Sequence, residues 1–328
     1  MRSRRKTAAC ALALLLFFTL CGCGAQRQTG EWFAMDTVMT ATVYGEKDAL
    51  DAIEDETYRL DALLSAQKGG SEISALNGGA DSVSEETAAL LREALEIAAE
   101  TDGAYDPTVD PLMRAWGFAD GAYRVPDDAE LAALLERTGW AKVAVDGTKI
   151  ALPEGFALDL GGIGKGYAAG RCKEILKERG VTSALLSLGG NVSALGSKPD
   201  GSAWTVAIED PDGGGYLGTL AVIDQCVVTS GGYQRYFEQD GVRYWHILDP
   251  QTGKPARSGM RSVTVVSADD TLADALSTAL FVMGPERAAD FWRGRRTEFD
   301  AVWLTDDGSL CVTEGLTLTT EREYEVIR

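Results

Sequence analysis

Asp274 and Thr278 stand four residues apart in the run ADALSTALFVMG, so on a helix both side chains leave from one face. A carboxylate beside a hydroxyl is a hard-oxygen pair suited to Mg²⁺, which takes few protein ligands and completes its shell with water and substrate phosphate. The same pair also serves ordinary local hydrogen bonding on a half-exposed face. His246, the single histidine of the chain, lies in YWHILDP and is the side chain best placed to shuttle protons near neutral pH. A lone histidine at a strand end is nevertheless more often structural. Asp249, followed by Pro250, is either a turn residue or a second carboxylate close to such a metal.

The other stretch with chemical content is DLGGIGKGYAAG, residues 159–170, where an apolar run breaks into glycines, offers Lys165 and opens a helix. Glycines let backbone amides approach a ligand, and a helix N-terminus attracts negative charge, so a phosphate-bearing ligand is the first hypothesis. The stretch is not a P-loop, because Gly166 follows Lys165 where Ser or Thr is required. It is not a dinucleotide fingerprint either, because LLSLGGN at 185–191 lacks the ribose-binding acid. Lys165 is a solvated helix-start lysine or a phosphate contact, and a cation at that end makes more sense beside an anion. Asp106, Thr108 and Asp110 in YDPTVDP either cap neighbouring amides or hydrogen-bond a nucleotide.

Positioning these groups requires a particular set of elements. WFAMDTVMTATVYG reads as a strand, residues 49–64 and 84–100 as helices, the second capped by Ser84, and GGSEISALNGG (69–79) as the loop between them. Residues 104–118, with two prolines and two acids, read as a rigid loop. Hairpin turns are expected at Asp146-Gly147 and Asp240-Gly241. FALDL (156–160) and SALLSL read as strands flanking a helix that stops at Gly180, a βαβ-like unit whose two glycine turns share one edge and make a cleft. Strands at 204–211, 217–224 and within 227–256, a strand and helix over 262–284 capped near Asp269 or Asp270, a short helix from Pro285 and a last hairpin complete an α+β chain. The expected fold is one large domain of two closely joined lobes, with mixed β-sheets and packed helices.

Residues 1–22 carry a basic start (Arg2, Arg4, Arg5, Lys6) and an apolar core too short for a comfortable membrane span, ending in LCGC. This is an export signal, and LCGC resembles a bacterial lipoprotein cleavage box with Cys23 as the lipidated residue. Residues 23–30 form a polar tether, 31–328 the globular domain. The expected location is the extracytoplasmic face of the plasma (inner) membrane, held there by the lipid anchor. The formal charge is −19, and more negative once the signal's cations are removed, which disfavours a nucleic-acid partner. An anionic substrate must therefore be met by local amides, a few cations or a metal. Cys172, Cys226 and Cys311 are an odd trio at wide spacing, read as buried thiols rather than a disulfide framework or zinc site.

MDTVMT, SEISALN, GAYDPTVDPL with WGF, DLGGIGKGYA, LGGN, TSGGYQRYF, YWHILDPQTGKP and ADALSTALFVMG, in that order from about residue 32 to 313, resemble the ApbE family of FAD:protein FMN transferases. The resemblance implies Mg²⁺-dependent transfer of FMN from FAD to a Ser or Thr hydroxyl of membrane-associated redox proteins, with release of AMP. It implies Asp274, Thr278 and the backbone carbonyl of Gly164 as metal ligands. It implies an FAD site lined by Met35, Asn77, Ala104, Tyr105, Asp106, Lys165, His246 and Ile247, with added contacts from TSGGY. Many relatives carry Gly after the first methionine, where this chain has Asp36. His246 is the candidate for activating the acceptor hydroxyl and Asp249 the rival base. Splitting of FAD to FMN and AMP by water, and non-catalytic FAD binding, are the competing readings.

Overall fold

The strand β12 (Met260–Ser267) is buried along nearly its whole length, which requires cover on both faces of its sheet. The computed structural model, which describes residues 26–45 and 47–328, supplies that cover. β12 lies inside a nine-stranded sheet of order β1-β2-β5-β6-β9-β12-β13-β14-β15. The remaining strands are β1 (Arg27–Ala34), β2 (Thr37–Tyr44), β5 (Ala184–Leu188), β6 (Asn191–Leu195), β9 (Cys226–Gly231), β13 (Phe299–Thr305), β14 (Leu310–Thr313) and β15 (Glu325–Ile327). Neighbours are antiparallel except the β14–β15 pair, so the sheet is mixed. Three two-stranded ribbons accompany it: β3 (Ala144–Asp146) with β4 (Lys149–Ala151), β7 (Trp204–Glu209) with β8 (Tyr216–Val222), and β10 (Tyr236–Gln239) with β11 (Val242–Trp245).

One face of the sheet carries the main core, built with α1 (Lys47–Leu64), α3 (Glu85–Glu100), α6 (Gly164–Glu178), α7 (Asp270–Met283) and α8 (Pro285–Arg293). The other face is closed by the β7–β8 ribbon, whose Trp204, Val206 and Ile208 alternate inward at the period of a half-buried strand. A third, smaller core joins α4 (Asp110–Ala115), α5 (Asp128–Leu135) and the aromatic face of β10–β11 around Trp116 and Phe118. The fold is a single α+β domain. Among the described residues no helix is long and apolar enough to cross a membrane. The signal segment and Cys23 lie outside the described residues, and 27–30 of the expected tether belong to β1.

Several expected elements take another form. WFAMDTVMTATVYG is a hairpin, broken where Met35 and Asp36 both adopt left-handed conformations with φ of 49° and 58°. This is the geometry of a two-residue turn, and it explains why glycine or aspartate suits position 36. The 69–79 loop contains a short helix α2 (Glu72–Asn77), capped by the Ser71 hydroxyl. The 104–118 loop contains α4, because Pro111 falls in the first turn, where a missing N–H costs nothing. FALDL is not a strand: its backbone bonds go to Asn77 and to the carbonyl of Pro107, so no ladder forms. The βαβ-like unit is therefore absent. β5 and β6 instead form an antiparallel hairpin through Gly189 and Gly190. The three described cysteines are free and buried.

Candidate active site

The site is assembled where the start of α6 presses on α7. A Cβ at Gly166 would lie 2.2 Å from the Asp270 carbonyl oxygen and 2.6 Å from Asp274 Cβ, so only glycine permits this crossing. The contact lets the Gly166 amide donate to Asp274 Oδ2 at 2.8 Å. Asp274 is buried, and its Oδ1 faces Lys165 Nζ at 3.9 Å. Lys165 Nζ is also 3.4 Å from the Gly161 carbonyl. One turn along α7, Thr278 Oγ1 borders Gly162, as does the edge of the Tyr105 ring, at 3.6 and 3.2 Å from where a Gly162 Cβ would stand. The Tyr105 hydroxyl is buried without a hydrogen-bond partner. Burial, with Asp274, Asp159 and other carboxylates nearby, holds its pKa well above the ordinary phenol value, so it stays a donor.

Gly164, which the resemblance implies as a carbonyl ligand, is helical. It is the first residue of α6, where a carbonyl points along the axis into the helix, and a Cβ there would meet nothing within 4 Å. Gly162, in the turn before the helix, is the glycine that abuts Thr278.

His246 extends the β10–β11 ladder by one pair. The Arg235 carbonyl accepts both its backbone N–H and its Nδ1, each at 3.1 Å. A carbonyl only accepts, so Nδ1 carries the proton and Nε2 keeps a bare lone pair. Burial, then the Arg235 and Lys165 cations, lower its pKa to about 4, against the opposing pull of the Arg235 carbonyl. Phe118 packs edge-on against the ring. Ile247 is buried and its carbonyl accepts from Ala256. The Asp249 carboxylate closes the DPQTG turn, with Oδ1 taking the Gln251 amide at 2.9 Å and Oδ2 the Thr252 hydroxyl at 3.1 Å. It is occupied as a turn residue.

The remaining sequence candidates divide between lining and bracing. Met35 sits at the β1–β2 turn, its amide held by Asp61 Oδ2 at 2.9 Å. Asn77 grips the backbone of Leu158 with both ends of its amide, at 2.9 and 2.7 Å. Ala104 and Asp106 are buried. Asp106 Oδ1 takes the amide and hydroxyl of Thr108 and Oδ2 the amide of Trp140, so the capping alternative holds for this acid. Asp110 pairs with Arg114 at 2.6 Å, and burial raises its pKa to about 6. A cleft of about 550 Å³ opens beside this loop, with Asn77, Arg114 and Phe156 in its walls; Lys165, His246 and Asp274 do not line it. In TSGGY, Thr229 bonds Thr264 and Ser230 bonds Ser277, fastening β9 to β12 and to α7.

The donors around Asp274 are a carboxylate oxygen, a hydroxyl and a glycine-turn backbone, all hard oxygens, beside a lysine too distant for a close ion pair. This set fits Mg²⁺. Among the described residues no group of three or more His, Cys, Asp or Glu side chains forms a metal cluster, so a site here relies on one carboxylate.

The model of the ApbE family matches residues 35–303. The chain belongs to the ApbE family. It is 34% identical over 340 residues to the FAD:protein FMN transferase of Treponema pallidum, covering 92% of this chain and 93% of that one. The FAD:protein FMN transferase of Klebsiella pneumoniae (strain 342) is 35% identical over 78% of this chain and 81% of its own. The crystal structure of the ApbE protein from Thermotoga maritima superposes with a TM-score of 0.83 at 34% identity, over 88% of this chain and 98% of that one. In this ApbE chain the sequence reading did not single out Gly162 or Arg235. Arg235 had a signal: counting outward from the Asp240-Gly241 turn pairs it with His246. Gly162 had none, since its neighbour Thr278 is remote in sequence.

Proposed function

We propose that this protein transfers FMN from FAD to a Ser or Thr hydroxyl of an acceptor protein, releasing AMP, in a Mg²⁺-dependent reaction. The observation that carries the proposal is the crossing of α6 and α7, which sets Lys165 Nζ 3.9 Å from Asp274 Oδ1 and brings the Gly162 turn beside Thr278 Oγ1. Asp274, Thr278 and the Gly162 turn would hold the metal. When bound, Mg²⁺ neutralises charge on the pyrophosphate oxygens. Lys165 binds the same pyrophosphate as a point charge. The Tyr105 hydroxyl, having no protein partner, donates to the ligand. His246 is neutral at physiological pH and accepts the acceptor hydroxyl's proton on Nε2. That oxygen bonds to the FMN-side phosphorus as the bond from phosphorus to the AMP oxygen breaks, and AMP leaves.

The acceptors proposed are exported or membrane-associated redox proteins, with this chain anchored through a lipid on Cys23 on the extracytoplasmic side. The test is to incubate the protein with FAD, Mg²⁺ and a candidate acceptor domain, then read covalent flavin by mass spectrometry and free FMN and AMP by chromatography. Labelled acceptor with stoichiometric AMP is expected. FMN and AMP without labelling would make the protein a pyrophosphatase, and binding without turnover would sink the enzyme reading.

A further inference from the structure

The β10–β11 ribbon has features that the chemistry at Asp274 does not use. Among the described residues it pairs with no other strand, so β10 keeps an unpaired outer edge there. It is stiffened from beneath by stacked rings: Phe237 lies on Tyr123 and on Tyr244, with centroids 5.2 Å apart in each pair. The side away from these rings exposes Tyr236. Arginines lie over its rings, Arg243 over Tyr236 at 4.0 Å and, from beyond the ribbon, Arg257 over Trp245 at 4.7 Å.

The charge pattern is the informative part. The whole chain has formal charge −19, yet between Tyr233 and Arg257 the cations Arg235, Arg243, Lys254 and Arg257 outnumber the acids Glu238, Asp240 and Asp249. Lys254 is paired with Asp128 and Arg243 with Glu238. Arg235 and Arg257 form no ion pair among the described residues. Both are exposed, and they flank His246: Arg235 is its ladder partner, and Arg257 covers the ring of the preceding Trp245. Uncompensated cations on an acidic protein, mounted on a rigid aromatic ribbon that ends at the proposed base, fit an anionic partner that must reach that base.

We infer that the β10–β11 ribbon is the docking arm for the acceptor protein, and that Arg235 and Arg257 select an acidic, extended segment around the Ser or Thr that becomes flavinylated. The inference rests on the transferase reading and names its partner's chemistry. The free edge of β10 offers backbone hydrogen bonds to such a segment; each guanidinium gives one nitrogen to a backbone carbonyl, Arg235 to Phe118 and Arg257 to Arg243, and keeps its other donors for the segment's carboxylates. Bringing the segment onto the arm delivers its hydroxyl toward His246 Nε2.

The experiment uses the intact protein, FAD and Mg²⁺ with two short fluorescent peptides, each carrying one threonine flanked either by aspartates or by lysines. Peptide binding is read by anisotropy, flavin transfer by mass spectrometry, and FAD affinity by titration. The wild-type protein is expected to bind and label the aspartate peptide in preference to the lysine one. Arg235→Glu with Arg257→Glu is expected to weaken aspartate-peptide binding about tenfold or more and to shift preference toward the lysine peptide, with FAD affinity unchanged. Equal handling of both peptides by the wild type, or an unchanged preference in the variant, overturns the inference while leaving the transferase reading intact. A matching loss of FAD affinity in the variant also overturns it, by assigning the arginines to the pyrophosphate. Failure of the wild type to label any threonine, in peptide or folded acceptor, removes the transferase reading and this inference together.

Discussion

Gly166→Ala is the substitution that most directly probes how the site is held. The added Cβ would stand 2.2 Å from the Asp270 oxygen and 2.6 Å from Asp274 Cβ, against the 3.4 Å or more of ordinary contact, so α6 and α7 must separate by about 1 Å. Overpacking of this kind costs about 1–3 kcal/mol. Stretching the 2.8 Å bond from the Gly166 amide to the Asp274 carboxylate adds about 1 kcal/mol or more, since a buried acceptor loses its partner. A total near 3 kcal/mol lowers Tm by about 5 °C in a domain of about 300 residues. A displacement of about 1 Å at Asp274 lowers turnover about a hundredfold. Gly164→Ala is the control. Its Cβ enters open space on a helical backbone, so stability should hold or rise by up to about 1 kcal/mol. Differential scanning calorimetry and the flavin-transfer assay on both variants decide between these outcomes. A Gly166→Ala protein that melts and turns over like wild type, or a Gly164→Ala protein with the same losses, refutes the packing argument.

His246→Gln should lower kcat by about 10²- to 10⁴-fold with FAD affinity retained, and an equal loss of FAD affinity would assign the ring to binding instead. Because its folded pKa is about 4, the acid limb contributed by this group to kcat/KM should fall near pH 4. The unfolded chain takes up this proton first, so the same group lowers stability as pH drops from about 6.5 toward 4, and urea unfolding of wild type and His246→Gln across that window measures the difference. Asp249→Asn should cost about 1 kcal/mol of stability and change turnover only severalfold, since the carboxylate closes a turn; a thousandfold loss would make Asp249 the base. Asn77→Ala removes both bonds to Leu158 and should cost about 2 kcal/mol, and an unchanged urea midpoint would show that the 156–160 segment does not need them.

What could be read from the sequence was what is local. Asp274 and Thr278 share a helical face because four residues make about one turn, and the Asp240-Gly241 turn fixes the hairpin that ends at His246. The role of Gly166 was not readable, because its partner Asp274 lies 108 residues away and no spacing rule connects them. FALDL has the composition of a strand, but a strand exists only where a neighbouring ladder is available, and here Asn77 and Pro107 take the backbone instead. Likewise the acids of YDPTVDP could not be apportioned between ligand and loop. Asp106 serves the loop because Thr108 and Trp140 amides converge on it, a fact of tertiary placement.

The α6 N-terminus has the composition of a phosphate cradle, and the structure changes who does the cradling. An amide of its first turn is already given to Asp274, so the positive end of the helix is met by a protein carboxylate. That carboxylate also faces Lys165 across 3.9 Å, so it competes weakly with any other anion for that cation. On the proposed reading, Asp274 without a metal would oppose a pyrophosphate at this spot and compete with it for Lys165. A divalent cation bound there would offset that charge and turn both groups toward the substrate. Asp274→Asn preserves shape and an acceptor for Gly166 while deleting the charge. In the presence of EDTA it should bind FAD about tenfold more tightly than wild type, yet gain nothing from added Mg²⁺ and lose transfer. Weaker FAD binding by the variant in EDTA would show that Asp274 contacts the ligand directly, and retained Mg²⁺-dependent transfer would move the metal elsewhere.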